Sequence, residues 1–446
     1  MSATAWLATA IFVAAYALIA SERLDKTKVA LAGAALMILL GIIDQHTAFH
    51  GTHEVEGIDW NTIFLLMGMM IIVNITRRTG LFEWVAIKTA KLGRGRPIPI
   101  LIGMCLSTAL LSAALDNVTT VLLIAPTVIV IYEALELDPV PFLIFVILAS
   151  NIGGTATLIG DPPNIIIASA ANITFMEFIY VNVPIIALVF PVFVASIELL
   201  LGKRFSVPEE ARIRVMQFDE SRALTDIPLL RRCLVVIVLV LLGFGVHGAL
   251  HLEPATIALA GAALIMILHP EGPRETLEEI EWPTIFFFIG LFIMVGGLVQ
   301  VGVVAALGHG MIDLTGGNLL ALTMVVLWFS AFASGVIDNI PFVATMAALL
   351  RVVAGDLAPE GAVATHTAAE LIRHGAIMPV WWALSLGACL GGNMTLIGAS
   401  ANVVVSGIAA RSGHPISFMR FLKWGLPMTL VHLGLCALYL WVRFYR

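Results

Sequence analysis

Two aspartates sit where an apolar chain should carry no charge. Asp116, followed by Asn117, Thr119 and Thr120, interrupts the apolar run 97–132, and Asp338, followed by Asn339, interrupts 318–350. A carboxylate at membrane depth is costly and by default marks an ion or proton pathway. A third, Asp161, ends the run Gly153-Gly154-Thr155-Ala156-Thr157-Leu158-Ile159-Gly160 and is followed by Pro162-Pro163-Asn164. That run returns as Gly391-Gly392-Asn393-Met394-Thr395-Leu396-Ile397-Gly398, where Ala399-Ser400-Ala401-Asn402 replaces the acid and the prolines. Glycines let the backbone leave a helix, and paired prolines delay its return. Two roles are open for Asp116 and Asp338: capping the following helix, or meeting a substrate together with the exposed N–H groups of a helix end. Gly-Gly likewise serves close helix packing or a polar gap. The symmetric pairing favours the gap. Candidate proton or ion coupling groups are Asp116, Asp338 and Asp161. Candidate substrate contacts are Asn117, Thr119, Thr120, Gly154, Thr155, Thr157 and Asn164 in the first copy. The second copy supplies Asn339, Gly392, Asn393, Thr395, Ser400 and Asn402.

The elements that position these residues follow from composition and repetition. Of 446 residues, 60% are hydrophobic and 12% charged; a soluble domain is nearer about 25% charged. The chain therefore reads as a polytopic helical membrane protein. The first run, Trp6–Ala20, reads as a retained helix rather than a cleaved signal. The four cysteines are scattered in apolar helices and read as small buried hydrophobes, with no metal site. No Gly-x-x-x-x-Gly-Lys-Ser/Thr motif occurs, so neither a cofactor nor a nucleic acid is expected, and an ion gradient would drive transport.

The repeat extends over the chain. Ala30–Leu36 is identical to Ala258–Leu264, and Asp59-Trp60-Asn61-Thr62-Ile63-Phe64 matches Glu281-Trp282-Pro283-Thr284-Ile285-Phe286. The halves are 1–203 and 229–446, joined by a charged linker, 204–228. In the first half, spans are predicted at 4–20, 28–43, 59–76 and 178–201, with a surface helix at 80–92. A re-entrant hairpin is predicted with arms 97–114 and 120–132, and a span at 142–170 broken near 153–163. In the second half the corresponding segments are 232–249, 255–268, 284–300, a hairpin at 318–350, a broken span at 380–409 and a last span at 425–441. The expected fold is all-α: two inverted repeats of five transmembrane helices, each with a re-entrant hairpin and a broken helix. Five crossings per half invert the second half, as inverted-repeat transporters require. Segments 21–28, 77–96, 202–232 and 411–423 hold 19 of the 24 Lys and Arg residues. They are predicted cytoplasmic, which places both termini outside. The segments 44–58, 171–177 and 301–317 read as loops on the opposite face.

The paired motifs resemble the arsenite-permease and melanosomal P-protein branch of the ion transporter superfamily. The likeness is carried by Leu115-Asp116-Asn117-Val118-Thr119-Thr120-Val121, by Asn151–Asn164, by Ile337-Asp338-Asn339-Ile340-Pro341 and by Gly391–Asn402. It covers essentially the whole chain. It implies a scaffold domain and a transport domain in a bacterial inner membrane, a second copy of the chain as partner, and a cytoplasmic ATPase subunit as a further partner to test. Dicarboxylate carriers of the superfamily carry Ser-Asn-Thr at the hairpin tips, whereas this chain has Asp-Asn-Val and Asp-Asn-Ile. Two carboxylates would repel a di- or tricarboxylate. The leading expectation is therefore proton-coupled efflux of arsenite and antimonite. The alternatives are a sodium/proton antiporter or another ion or dicarboxylate-type permease. An aspartyl protease built on Asp116 and Asp338 would need the pair about 3 Å apart and leaves the glycine breaks unexplained.

Overall fold

The computed structural model describes residues 2–21, 23–52, 55, 57–202, 205, 207–269, 272–357 and 377–446. Helices make up the first half: α1 (Ala3–Ala20), α2 (Lys26–Leu39), a short α3 (Gln45–His50), α4 (Trp60–Arg77) and α5 (Leu81–Leu92). The hairpin arms α6 (Pro97–Ala114) and α7 (Asn117–Ala134) follow, then the broken pair α8 (Val140–Gly154) and α9 (Pro162–Ala171), and α10 (Phe175–Leu201). The linker carries α11 (Glu209–Met216); its residues 204 and 206 lie outside the described residues. The second half repeats the order as α12 (Ile227–Val246), α13 (Pro254–Leu268), a short α14 (Pro273–Glu278), α15 (Trp282–Gln300) and α16 (Val303–Thr315). The second hairpin is α17 (Leu319–Val336) and α18 (Asn339–Asp356). The broken pair α19 (Met378–Gly391) and α20 (Ser400–Arg411) precedes α21 (Phe418–Phe444). Among the described residues, 10 helices are long and apolar enough to cross a membrane, and no strand occurs.

Two elements depart from the sequence reading. The segment 301–317 is not a loop: α16 occupies it in the place that α5 takes in the first half. Left-handed glycines, Gly302 and Gly316, bound it at φ 76° and 57°. The second arm of the first hairpin is longer than 120–132. It starts at Asn117, because the Asp116 side chain accepts the N–H groups of Val118 and Thr119 and so begins the helix at once.

Inter-helix contacts establish the inversion. Asn61 Nδ2 donates to Glu253 Oε2 at 2.9 Å, and Gly68 and Ile72 meet Ala258 and Gly261, so α4 and α13 run parallel. Thr27 Oγ1 donates to the Pro283 carbonyl at 2.8 Å, and Gly33 and Met37 meet Met294 and Gly297, so α2 and α15 run parallel. The end of α4 meets the start of α15: Asn74 Nδ2 donates to the Glu279 carbonyl at 2.8 Å, and Arg78 pairs with Glu279 at 3.0 Å. Hence α4 is antiparallel to α15 and to α2. Helix α13, the sequence counterpart of α2, therefore points the other way. The same exchange governs the outer elements, where α7 packs on α20 and α18 on α9.

The linker is fastened outside the spans. Thr225 donates its N–H to the Thr79 carbonyl at 3.1 Å, and Glu220 pairs with Lys88 at 3.4 Å and with Lys91. The hydrogen bond from Lys91 holds the Glu220 carboxyl down at about 2, so this clasp stays ionic through any physiological pH.

The repeats touch backbone to backbone at two equivalent points. A Cβ on Gly68 would lie 2.7 Å from the Ala258 carbonyl carbon, and one on Gly290 would lie 2.6 Å from that of Ala30. Gly68→Ala and Gly290→Ala should each destabilise the protein by about 1–3 kcal/mol through overpacking. Gly434→Ala, with nothing within 4 Å of the added atom, should be neutral. Thermal unfolding of the detergent-solubilised variants checks this, and a Gly68 variant as stable as Gly434→Ala would contradict it.

Candidate substrate and coupling site

The breaks between α8 and α9 and between α19 and α20 leave backbone carbonyls without helical partners. Buried carbonyls must be satisfied locally. Asn164 Nδ2 donates to the Thr157 carbonyl at 2.9 Å and to that of Gly154 at 3.3 Å. Asn402 Nδ2 does the same for Thr395 at 2.8 Å and Gly392 at 2.7 Å. The hydroxyls of Thr157 and Thr395 donate to the hairpin carbonyls of Ala113 and Gly335, at 2.6 and 2.5 Å. Ser112 and Ser334 fasten the hairpins to the carbonyls of Ser150 and Ala388, at 2.8 and 2.6 Å. Gly154 and Gly392 allow the fit, because a Cβ there would come within 2.5 and 3.1 Å of the carbonyl oxygens of Gly160 and Gly398. Each hairpin tip is thus locked to a break, and Asn117 N–H donates to the Gly160 carbonyl at 3.1 Å.

At the centre Asn151 makes hydrogen bonds to both halves. Asn151 Nδ2 donates to Asn393 Oδ1 and Asn402 Oδ1, both at 2.9 Å, while its Oδ1 accepts from Asn117 Nδ2 at 3.2 Å. Thr155 Oγ1 donates to the Asn151 carbonyl at 2.7 Å, and Asn393 Nδ2 to the Leu148 carbonyl at 3.2 Å. In the second half the position of Asn151 is held by Cys389, which with Ser385 donates to Asn164 Oδ1, at 3.3 and 2.7 Å. Five buried atoms in this region make no hydrogen bond among the described residues: Asn117 Oδ1, Thr120 Oγ1, Asp161 Oδ2, Asn182 Oδ1 and Asn339 Nδ2. Asp161 begins α9 but its side chain caps nothing.

Asp116 and Asp338 both cap their helices, yet differ in what remains. Asp116 accepts Val118 N–H at 3.4 Å with one oxygen, and Thr119 N–H at 2.8 Å and Thr119 Oγ1 at 2.6 Å with the other. In the second copy Pro341 replaces Thr119 and supplies neither donor. Asp338 Oδ1 accepts Ile340 N–H at 3.1 Å, and Oδ2 turns to Lys26 Nζ at 3.0 Å and Ser400 Oγ at 2.8 Å. Asp338 lines a cavity of about 340 Å³ together with Asp25, Lys26 and Ser400. Asp116 and Thr119 line an adjoining cavity of about 170 Å³ with Glu281, and Lys26 and Ser400 border this one too. The structure therefore brings the aspartates to neighbouring cavities that share Lys26, and the partner of Asp338 is an ammonium, not a second acid.

Sequence reasoning missed Lys26, Glu281 and Ser385. Lys26 reads as one of many cytoplasmic cations, and nothing local shows that it reaches a residue 312 positions away. Asn182, inside the long apolar helix α10, donates to the Thr155 carbonyl at 2.9 Å and to Ser385 at 3.0 Å; its type at membrane depth was the available signal.

The comparisons with known proteins decide the class. A family model described as CitMHS, citrate transporter, matches residues 16–387. The chain belongs to the citrate transporter family. It is 47% identical over 439 residues to an uncharacterized transporter of Mycobacterium tuberculosis, covering 98% of each chain. It is 34% identical over 512 residues to the human P protein, covering 97% of this chain and 59% of that protein, which bears out the resemblance to P proteins. A solved structure, the YdaH transporter of Alcanivorax borkumensis, aligns over 100% of this chain and 99% of that one, with TM-score 0.48 and 14% identity. This member of the citrate transporter family is thus a multi-pass membrane transporter.

The two clamp threonines are not equally committed. The Thr157 hydroxyl donates to the Ala113 carbonyl and accepts the Gly160 N–H at 3.1 Å, whereas the Thr395 hydroxyl makes only its bond to Gly335 among the described residues. Thr395→Val should cost about 1–3 kcal/mol through the stranded carbonyl, and Thr157→Val should lower the unfolding temperature further because it also strands an N–H. A Thr157 variant as stable as Thr395→Val, or more so, would contradict this.

Proposed function

We propose that the protein is a proton-coupled secondary transporter that exports arsenite and antimonite, with Asp116 and Asp338 as the groups that exchange protons and Asp161 as the third carboxylate of the site. The observation that carries this reading is the charge of the cavities: Asp25, Asp116, Glu281 and Asp338 line them, and Lys26 is the one cation among the described lining residues. Such a surface repels a tricarboxylate and accepts a proton, a cation or a neutral hydroxide. Asn117 Oδ1, Asn339 Nδ2 and Asp161 Oδ2, buried and unpartnered among the described residues, supply acceptors and a donor suited to a neutral trihydroxide. The hydroxyls of Thr155, Thr157 and Thr395 and the amides of Asn164 and Asn402 shape the site from behind, since backbone carbonyls occupy them. The larger cavity is lined by Leu24, Asp25 and Lys26 of the basic segment 21–28, which the positive-inside rule assigns to the cytoplasm, so substrate would enter from inside.

A second reading rests on the same acidic surface. Sodium/proton exchange would place Na⁺ at Asp116 and Glu281, where two carboxylates border one cavity.

Arsenite uptake into everted membrane vesicles separates the readings. With a proton gradient, uptake should exceed that of empty vesicles, collapse when the gradient is dissipated, and fall to background in the Asp116→Asn, Asp338→Asn double variant. Uptake at background in the wild type would sink the arsenite reading, and sodium-driven proton movement in the same vesicles would then support the second. Full proton-coupled transport by the double variant would remove the aspartates from the mechanism.

A further inference from the structure

Lys26 is the first residue of α2, which packs along α15 and α1. Its ammonium reaches away from that bundle to two elements of the other repeat: Asp338 Oδ2 on the second hairpin at 3.0 Å, and Ser400 Oγ on the second broken helix at 2.9 Å. Ser400 Oγ donates to the same carboxylate oxygen at 2.8 Å, which closes a triangle, and the Phe287 ring centre lies 5.0 Å from the ammonium. The ion pair is about one-sixth exposed at the carboxylate and one-third at the lysine, so it is neither a solvated surface pair nor sealed from the cavity. In the inverted repeat the position of Lys26 falls on Pro254, so the contact exists once in the molecule. It is possible only because Pro341 leaves Asp338 Oδ2 without a helical donor.

The cavities at the two ends of this interface are unequal. The one beside the triangle measures about 340 Å³. At the opposite end, between α4 and α15 on one side and α9 and α18 on the other, the cavity bordered by Asp59, Gly296, Ala348 and Arg351 measures about 110 Å³.

We propose that Lys26 is a tethered counter-cation: it holds the cation position of Asp338 in this conformation and must be displaced, by a proton or a metal cation arriving from the larger cavity, before the second hairpin can move. The inference rests on the reading of Asp338 as a coupling group. A second cation at this carboxylate would lie within a few ångströms of the ammonium and be repelled by it, and protonation would remove the charge that holds the ammonium, so incoming cation and lysine compete. When a proton arrives, Asp338 becomes a neutral acid, Lys26 keeps its own proton and turns into the cavity, and the contact between α2 and the second hairpin is lost. Asp25, which borders the same cavity, and Glu281, which borders the adjoining one, are the acids nearest to receive it. Lysine competition also lets the site reject a cation too weakly bound to displace it, which makes Lys26 a residue that sets cation selectivity.

The test reads conformation rather than transport, so it stands apart from the identity of the substrate. Ala348→Cys places a thiol in the smaller cavity, while Cys105, Cys233, Cys389 and Cys436 are buried and give a low background. Full-length protein in nanodiscs is labelled with a membrane-impermeant maleimide. Lys26→Met and Asp338→Asn should each raise the labelling rate about three- to tenfold, the population shift that follows loss of a charged hydrogen bond made in only one conformation. Lys26→Arg should label near the wild-type rate, and the Lys26→Met, Asp338→Asn pair no faster than either alone. Wild-type labelling in Lys26→Met, or additive increases in the pair, would overturn the proposal. Unfolding temperatures of the variants separate a conformational shift from misfolding, with Lys26→Arg as the folded reference. If arsenite transport fails while labelling behaves as described, the substrate reading falls and the counter-cation stands.

Discussion

Everything in this fold is arranged around the need to satisfy backbone in the two places where a helix stops inside the membrane. An unpaired carbonyl in hydrocarbon costs several kcal/mol, so a broken crossing survives only when side chains or neighbouring backbone replace the lost bonds. Here the replacement is the same in both halves. Asn164 and Asn402 close the breaks from one side, and Thr157 and Thr395 tie them to the hairpins from the other. The hairpins in turn need those bonds to end at the right depth. Because the second arm of each hairpin packs on the broken helix of the other repeat, satisfying one break positions the tip that faces the other.

Asn151 joins these two solutions into one centre. Standing just before the first break, it gives its amide to Asn393 and Asn402 of the second, and its carbonyl oxygen takes the amide of the first tip. A second asparagine at the equivalent position would compete for the same acceptors; Cys389 is smaller and asks for one weak bond, to Asn164. The centre is therefore built by symmetry and completed by one departure from it.

Much of this was legible in the chain. The paired motifs located both hairpins and both breaks within a few residues, because the symmetric recurrence of Gly-Gly, Asn and Asp within apolar runs favours a break over the packing or capping role that each could play alone. The inversion followed from counting crossings, and the parallel pairing of α4 with α13 and of α2 with α15, with the end of α4 at the start of α15, bears it out. Helix α16 escaped notice because its strongest boundary signals, Gly302 and Gly316, also read as loop residues. The commitment of the threonine hydroxyls to carbonyls was also hidden. Sequence shows that a polar group is present, but which acceptor it faces depends on a partner about 44 to 60 residues away.

The functional asymmetry has a small chemical origin. At the third position of α7 stands Thr119, which gives Asp116 both a backbone and a hydroxyl donor; at the third position of α18 stands Pro341, which gives Asp338 neither. Asp116 is consequently held mainly by its own helix start, and a proton or solute arriving from the cavity must compete with three local hydrogen bonds there. Asp338 keeps one oxygen available to groups outside its helix, which Lys26 and Ser400 now hold. Two carboxylates related by an inverted repeat are thereby given different partners without any change in their own identity. If both exchange protons as proposed, protonating Asp116 loosens bonds within one helix start, whereas protonating Asp338 releases a contact between elements of the two repeats, and only the second ties the binding of an ion directly to the movement of a hairpin.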